Sequence, residues 1–237
     1  MKKTILALAF SLLSCNVALA AGNGLKNWNA GTTVSLAEAE EYGMEKCFCA
    51  EAIPDKVFAR MRGKTFKNYC TIPRSDLRYV KVLHYNMRKQ VCIGELVCHK
   101  DIANDIVEIF QKLFQAKYPI ERMVLIDNYN AQDEPSMEAN NTSCFNFRFV
   151  ANTKVLSNHS HGKAIDINPL YNPYVKKRKD GSLKVSPKGG KPYADRSKKF
   201  DYKIDKNDLC YKEFTKHGFT WGGSWKSLKD YQHFEKK

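Results

Sequence analysis

Two histidines, a glycine and an aspartate fall within LSNHSHGKAIDINP (Leu156–Pro169), in a chain of 237 residues with only six histidines. Asp166 stands between Ile165 and Ile167, where an unpaired buried carboxylate is costly. A positive charge must face it, from a side chain or from a metal ion. On a helix, His159 and Asp166 would lie about 10 Å apart along the axis at ~1.5 Å per residue, too far to share one ion. Gly162 permits a tight reversal instead. KAIDI then alternates as a strand, with Ala164 and Asp166 on one face and Ile165 and Ile167 on the other, and Pro169 ends it. A turn followed by a strand therefore brings the imidazole and the carboxylate together.

Two protein ligands fall short of the three plus water usual at catalytic zinc. Among the other histidines, His233 lies in DYQHFE, three residues after Asp230. That pair offers an imidazole for a metal and a carboxylate near enough to take a proton from the metal's water. His161, two residues after His159, is the rival ligand of a His-x-His pair. His84, His99 and His217 read as structural. No HExxH occurs, which excludes the helix-borne zinc proteases of that type.

Several elements have to position these groups. SLAEAEEYGM predicts a short helix capped by Ser35, and IPDKVFARMRG another that ends at Gly63. DLRYVKVLHYN (Asp76–Asn86) reads as a strand paired with GELVC. Between Asp101 and Lys117 the apolar residues Ile102, Ile106, Ile109, Phe110, Leu113 and Phe114 recur at helical spacing, and Pro119 follows as the stop. MVLIDNY (Met123–Tyr129) reads as a buried strand, and DLCYKEFTKHGF as a helix stopped by Gly218. Strands and helices are interspersed irregularly without an internal repeat, which favours α+β over a wound parallel sheet.

Lys2, Lys3, the apolar run Ile5–Leu13 and the small residues of VALA-A read as a signal peptide spanning 1–20 and cut after Ala20. Lipid attachment at Cys15 is the less favoured reading. No other segment reads as an integral membrane span, so the mature protein is expected to be periplasmic or secreted. Seven cysteines remain after cleavage; an oxidising compartment predicts up to three disulfides and one odd thiol. The net charge of +14, or +12 without Lys2 and Lys3, favours a polyanionic partner such as acidic cell-wall polymer. Export argues against nucleic acid. The excess charge concentrates in a Lys-, Gly- and Pro-rich stretch, residues 174–207, read as a solvated excursion with substrate contact as the alternative.

Ser157, His159, Gly162, Ala164 and Asp166 match the SxHxxGxAxD signature of the M15 family of zinc D-alanyl-D-alanine carboxypeptidases and L-alanyl-D-glutamate peptidases. WGGSW…DYQHF is similar to that family's second block, and the resemblance extends from about Ile53 to the C-terminus. It implies an α+β fold, a small antiparallel sheet with flanking helices, of the Hedgehog/DD-peptidase kind. Residues 51–237 would form the peptidase domain, and 21–50 an N-terminal extension. His159, Asp166 and His233 would then hold one zinc ion, Asp230 would be the general base, Arg148 in FNFR would steady an oxyanion, and Ser157 would support the loop or touch substrate. The substrate implied is a peptidoglycan stem peptide. Ser224 departs from the acidic residue often found in WGGDW. A non-catalytic zinc-binding module of the same fold is the alternative reading, and a secreted nuclease a third.

Overall fold

The computed structural model describes residues 24–150 and 153–237. The expected signal peptide and cleavage point, and Cys15, lie outside the described residues. Among those described, no helix is long and apolar enough to cross a membrane.

The scaffold is a four-stranded antiparallel sheet in the order β1-β4-β3-β2, formed by β1 (Thr33–Val34), β2 (Cys49–Ala52), β3 (Leu77–Tyr85) and β4 (Val91–His99). β3 and β4 pair along their whole length, from Leu77 opposite His99 to Tyr85 opposite Val91. Their Val, Ile and Leu residues suit a pleated surface covered on both sides. One cover is α3 (Ala103–Gln115), whose Ile106, Ile109, Phe110 and Leu113 are buried at the i, i+3, i+4, i+7 positions of one face. Two shorter helices precede it. α1 (Leu36–Tyr42) starts with a capping box in which Ser35 and Glu38 satisfy each other's backbone N–H groups; α2 (Asp55–Met61) buries Val57 and Met61.

Residues 24–50, which fall within the stretch read as an N-terminal extension (21–50), pack into this layer. β1 pairs with β4 and β2 with β3, and Trp28 Nε1 donates to the Gly94 carbonyl at 3.1 Å. Met123–Tyr129 departs from expectation. It is buried at Met123–Asp127 but joins no ladder. Glu95 N donates to Met123 O, the side chain of Asn141 serves Val124 N and O, and Ile126–Tyr129 coils into a 3-10 turn. An amide side chain thus takes the place of a partner strand.

Two small sheets carry the C-terminal half. One has the order β5-β10-β8, from β5 (Ala164–Asp166), β8 (Thr220–Trp221) and β10 (His233–Glu235). The other has the order β7-β6-β9, from β6 (Tyr174–Lys177), β7 (Leu183–Ser186) and β9 (Lys229–Asp230). α4 (Asp133–Glu138) and α5 (Leu209–Lys216) complete the molecule, giving the expected α+β architecture of small antiparallel sheets with flanking helices. α5 joins the halves through Phe214, edge-on to Phe110 of α3 at 6.4 Å and stacked on Phe234 of β10 at 4.5 Å.

The expected disulfides are not formed. Cys47, Cys49, Cys70, Cys92, Cys98, Cys144 and Cys210 are all free thiols, and five of the seven are buried. They pack as small hydrophobes. Burial pushes the Cys47 thiol up to about 11 and those of Cys98, Cys144 and Cys210 further.

Candidate active site and metal centre

Register explains how residues 67 positions apart meet. In the pairing of β5 with β10, Asp166 lies directly opposite His233, and Ile165 opposite Phe234. The two-residue period sends Ile165 and Phe234 into the core and leaves Asp166 and His233 together on the other face. His159 arrives from the turn before β5. Asn158–His161 form one 3-10 turn capped by Ser157, whose Oγ accepts from His159 N at 3.3 Å. Gly162 then reverses the chain at φ +65, and a Cβ there would meet His99 N at 2.8 Å. Only glycine offers both that backbone conformation and that closeness.

The resulting group is compact. One ligand atom from each of His159, Asp166 and His233 lies within 4.8 Å of the others. His159 Nε2 stands 3.3 Å from Asp166 Oδ2, and His233 Nδ1 stands 3.0 Å from Asp166 Oδ1. The far nitrogens have partners of their own. His159 Nδ1 lies 2.7 Å from the Cys144 carbonyl, which can only accept, so Nδ1 carries a proton and donates there, and Nε2 is the nitrogen that faces Asp166. His233 Nε2 faces Glu235 Oε2 at 3.0 Å, so one ring lies between two carboxylates.

Such an arrangement calls for positive charge. Burial alone would raise Asp166, but His159 and His233 outweigh it and hold its carboxyl below the usual range. Burial would likewise lower His233, yet its hydrogen bonds to Asp166 and Glu235 push it up to about 10. A proton therefore answers the charge demand that a divalent cation would meet with the neutral imidazole. Asp230 shares the site. Its Oδ1 is buried with no hydrogen-bond partner among the described residues. Burial, with Asp166 second, raises its carboxyl to about 6. Gly222 of the WGGSW run makes this closeness possible, since a Cβ there would meet Asp230 O at 2.7 Å and its Cβ at 2.9 Å.

All six residues singled out from the sequence line one open cleft of about 800 Å³: Ser157, His159, Asp166, Asp230, His233 and Arg148. Arg148 Nε lies 2.5 Å from Asp133 Oδ2, without the alignment of a hydrogen bond. Ser157 acts through the turn it caps. Trp225 packs over the His233 ring at 5.3 Å, while Trp221 lies against Tyr231 and Phe234. His161 is outside the ligand group, and Ser224 is exposed and outside the cleft lining. A smaller hollow of about 480 Å³ beside Trp28, Arg60 and Glu95 holds none of these residues.

Two features escaped the sequence reading. Glu235 anchors His233, and the signal was present: in HFE on a strand, His and Glu share a face. The basic stretch is ordered where it was read as a solvated excursion. Its β6 and β7 form a hairpin that pairs with β9 and supplies Tyr174, Lys176, Arg178, Lys184 and Ser186 to the cleft.

No curated protein and no solved structure matches the chain significantly. Residues 151–236, which include the His-Asp-His group, Asp230 and the hairpin, match the M15 peptidase family model described as D-alanyl-D-alanine carboxypeptidase.

Proposed function

We propose that the protein is a zinc-dependent peptidase that hydrolyses an amide bond in peptidoglycan stem peptides, of the D-alanyl-D-alanine or L-alanyl-D-glutamate type. The observation that carries the reading is the clustering of His159, Asp166 and His233, with one ligand atom of each within 4.8 Å of the others, in the cleft that also holds Asp230, whose Oδ1 has no hydrogen-bond partner among the described residues. Two imidazoles and a carboxylate are a zinc donor set that leaves room for water. The second partners are in place as well: the Cys144 carbonyl for His159 and Glu235 for His233. When bound, zinc would act as a Lewis acid there, lowering the pKa of a water and polarising the substrate carbonyl.

The remaining work falls to the protein. Asp230 Oδ1 faces no protein donor among the described residues, so it is free to accept the proton of the attacking water. Its raised pKa matches it to a transfer near neutral pH, and it then returns that proton to the leaving amine. Arg148, held at the cleft by Asp133, donates to the oxygen on which negative charge develops. Ser157 fixes the turn that aims His159. The reading also requires export to the wall, which the N-terminal 20 residues support as a signal sequence.

The test is digestion of purified peptidoglycan, and of synthetic stem pentapeptide, by the zinc-loaded protein with product masses read out. Loss of one D-alanine, or cleavage between L-alanine and D-glutamate, is expected and identifies the bond. Intact peptides at every pH between 5 and 9 would refute the proposal.

A further inference from the structure

We infer that the β6–β7 hairpin is the specificity wall of this cleft, recognising peptides whose carboxylates lie on the side of the scissile bond that runs outward from Asp230. The inference rests on the peptidase reading above. Its starting point is register. Tyr174 of β6 lies directly opposite Asp230 of β9, so the hairpin begins at the proposed base. The two-residue period then puts Lys176 and Arg178 on the Tyr174 face, at about 7 and 13 Å from that point at ~3.3 Å per residue. Across the hairpin, Lys184 pairs with Lys176, and Ser186 with Tyr174. All five line the cleft.

Lys176 and Lys184 are like charges in directly opposed positions, an arrangement that destabilises a hairpin on its own. Among the described residues, neither they nor Arg178 forms a salt bridge. Lys184 Nζ rests 5.8 Å from the Tyr174 ring centroid, and Arg178 reaches Ser182 across the turn, where Asp180, within range of its charge, accepts from Ser182 N and Oγ. The carboxylates that could neutralise them are engaged elsewhere. Glu134 accepts from Ser186 Oγ at 2.7 Å and from Lys188 N at 2.8 Å, tying the hairpin base to α4, while Asp133 faces Arg148. The three cations are thus held on an anchored wall, open for a ligand's anions. An extended peptide repeats its same-side groups at the same ~7 Å interval. The apolar residues of the cleft lining, Met137, Val150 and Leu228, suit alanine methyls better than a continuous phosphate backbone.

The experiment measures calorimetric binding to the full zinc-loaded chain carrying Asp230→Asn, so that turnover does not enter. One probe is L-alanyl-γ-D-glutamyl-L-lysyl-D-alanyl-D-alanine with free carboxylates; the other has both carboxylates as amides. The free acid is expected to bind roughly tenfold tighter, with the gap narrowing as salt rises. Adding Lys176→Gln, Arg178→Gln and Lys184→Gln together should bring the two peptides to one affinity, and Lys184→Glu alone should narrow the gap. All three cations are exposed, so these changes should leave the core untouched, which matching unfolding curves would check. Equal affinity in the parent, a preference that survives the triple substitution, or tight binding of glycerol-phosphate polymer in place of either peptide would overturn the inference. Preference without any cleavage by the unsubstituted protein would sink the peptidase reading and leave the wall assignment standing.

Discussion

β3 and β4 run nine residues each with nearly every side chain buried, whereas β5, β8, β9 and β10 run only two or three. The long pair is held by apolar area and an unbroken ladder. The short strands and the turns beside them enclose polar and charged groups, His159, Asp166, Asp230, Gln232 and His233, which apolar burial does not reward. Contacts to the rest of the molecule hold them: Gly162 O, just before β5, accepts from His99 N at the end of β4, and Phe234 of β10 packs on Phe214 of α5. Stability and chemistry are therefore separable here, and substitutions in the two regions should fail differently.

The sharpest break in that comparison is Asp166→Ala. It should abolish both zinc binding and cleavage while thermal unfolding stays within a few degrees of the parent, because the residue contributes charge demand and little packing. A collapse of the fold would show that the site is part of the scaffold. Asp230→Ala should retain zinc and lower kcat by ~10²–10⁴-fold, measured by single-turnover cleavage. Phe110→Ala is the converse change. It should cost about 3–5 kcal/mol of stability in urea titration and leave the zinc affinity of the folded fraction as it was. Glu235→Gln should weaken zinc by about 10–100-fold, as losses of a ligand's supporting partner do, by loosening the orientation of His233. The smallest effect concerns pH. Asp230 must be ionised to accept a proton, and its pKa is raised, so kcat/KM should fall as pH drops, with a midpoint above the ordinary aspartate value of about 3.9. A profile flat down to pH 4 would assign the base elsewhere.

Much of the site was legible because its constraints are local or periodic. Gly162, the KAIDI alternation and the DxxH spacing place His159, Asp166, Asp230 and His233 with few alternatives. The periodicity of α3 and the Ser35 cap served equally well. What escaped depends on partners distant in sequence. Met123–Tyr129 has strand composition, but Asn141 satisfies its backbone, and no pattern within the segment announces that. Residues 24–50 look sparse in apolar groups until β4 offers an edge for Thr33 and Val34. Lysine-rich composition suggested a solvated excursion at 174–207, yet Val175 and Val185 alternate with the lysines and pair across the hairpin, which was the overlooked strand signal. Cysteine number and compartment predicted disulfides, while pairing depends on where the fold puts the sulfurs. Here the sulfurs stay unbridged, and Cys47, Cys98, Cys144 and Cys210 pack in the core.

Zinc absorption spectroscopy on the purified protein, with metal content per chain, tests the central claim most directly. One zinc per chain is expected, with nitrogen and oxygen ligands only, the histidine nitrogens at about 2.0–2.1 Å, and an empty site in Asp166→Ala. A sulfur shell near ~2.3 Å, drawing on thiols such as Cys47 and Cys49, or zinc retained in full by Asp166→Ala, would contradict it.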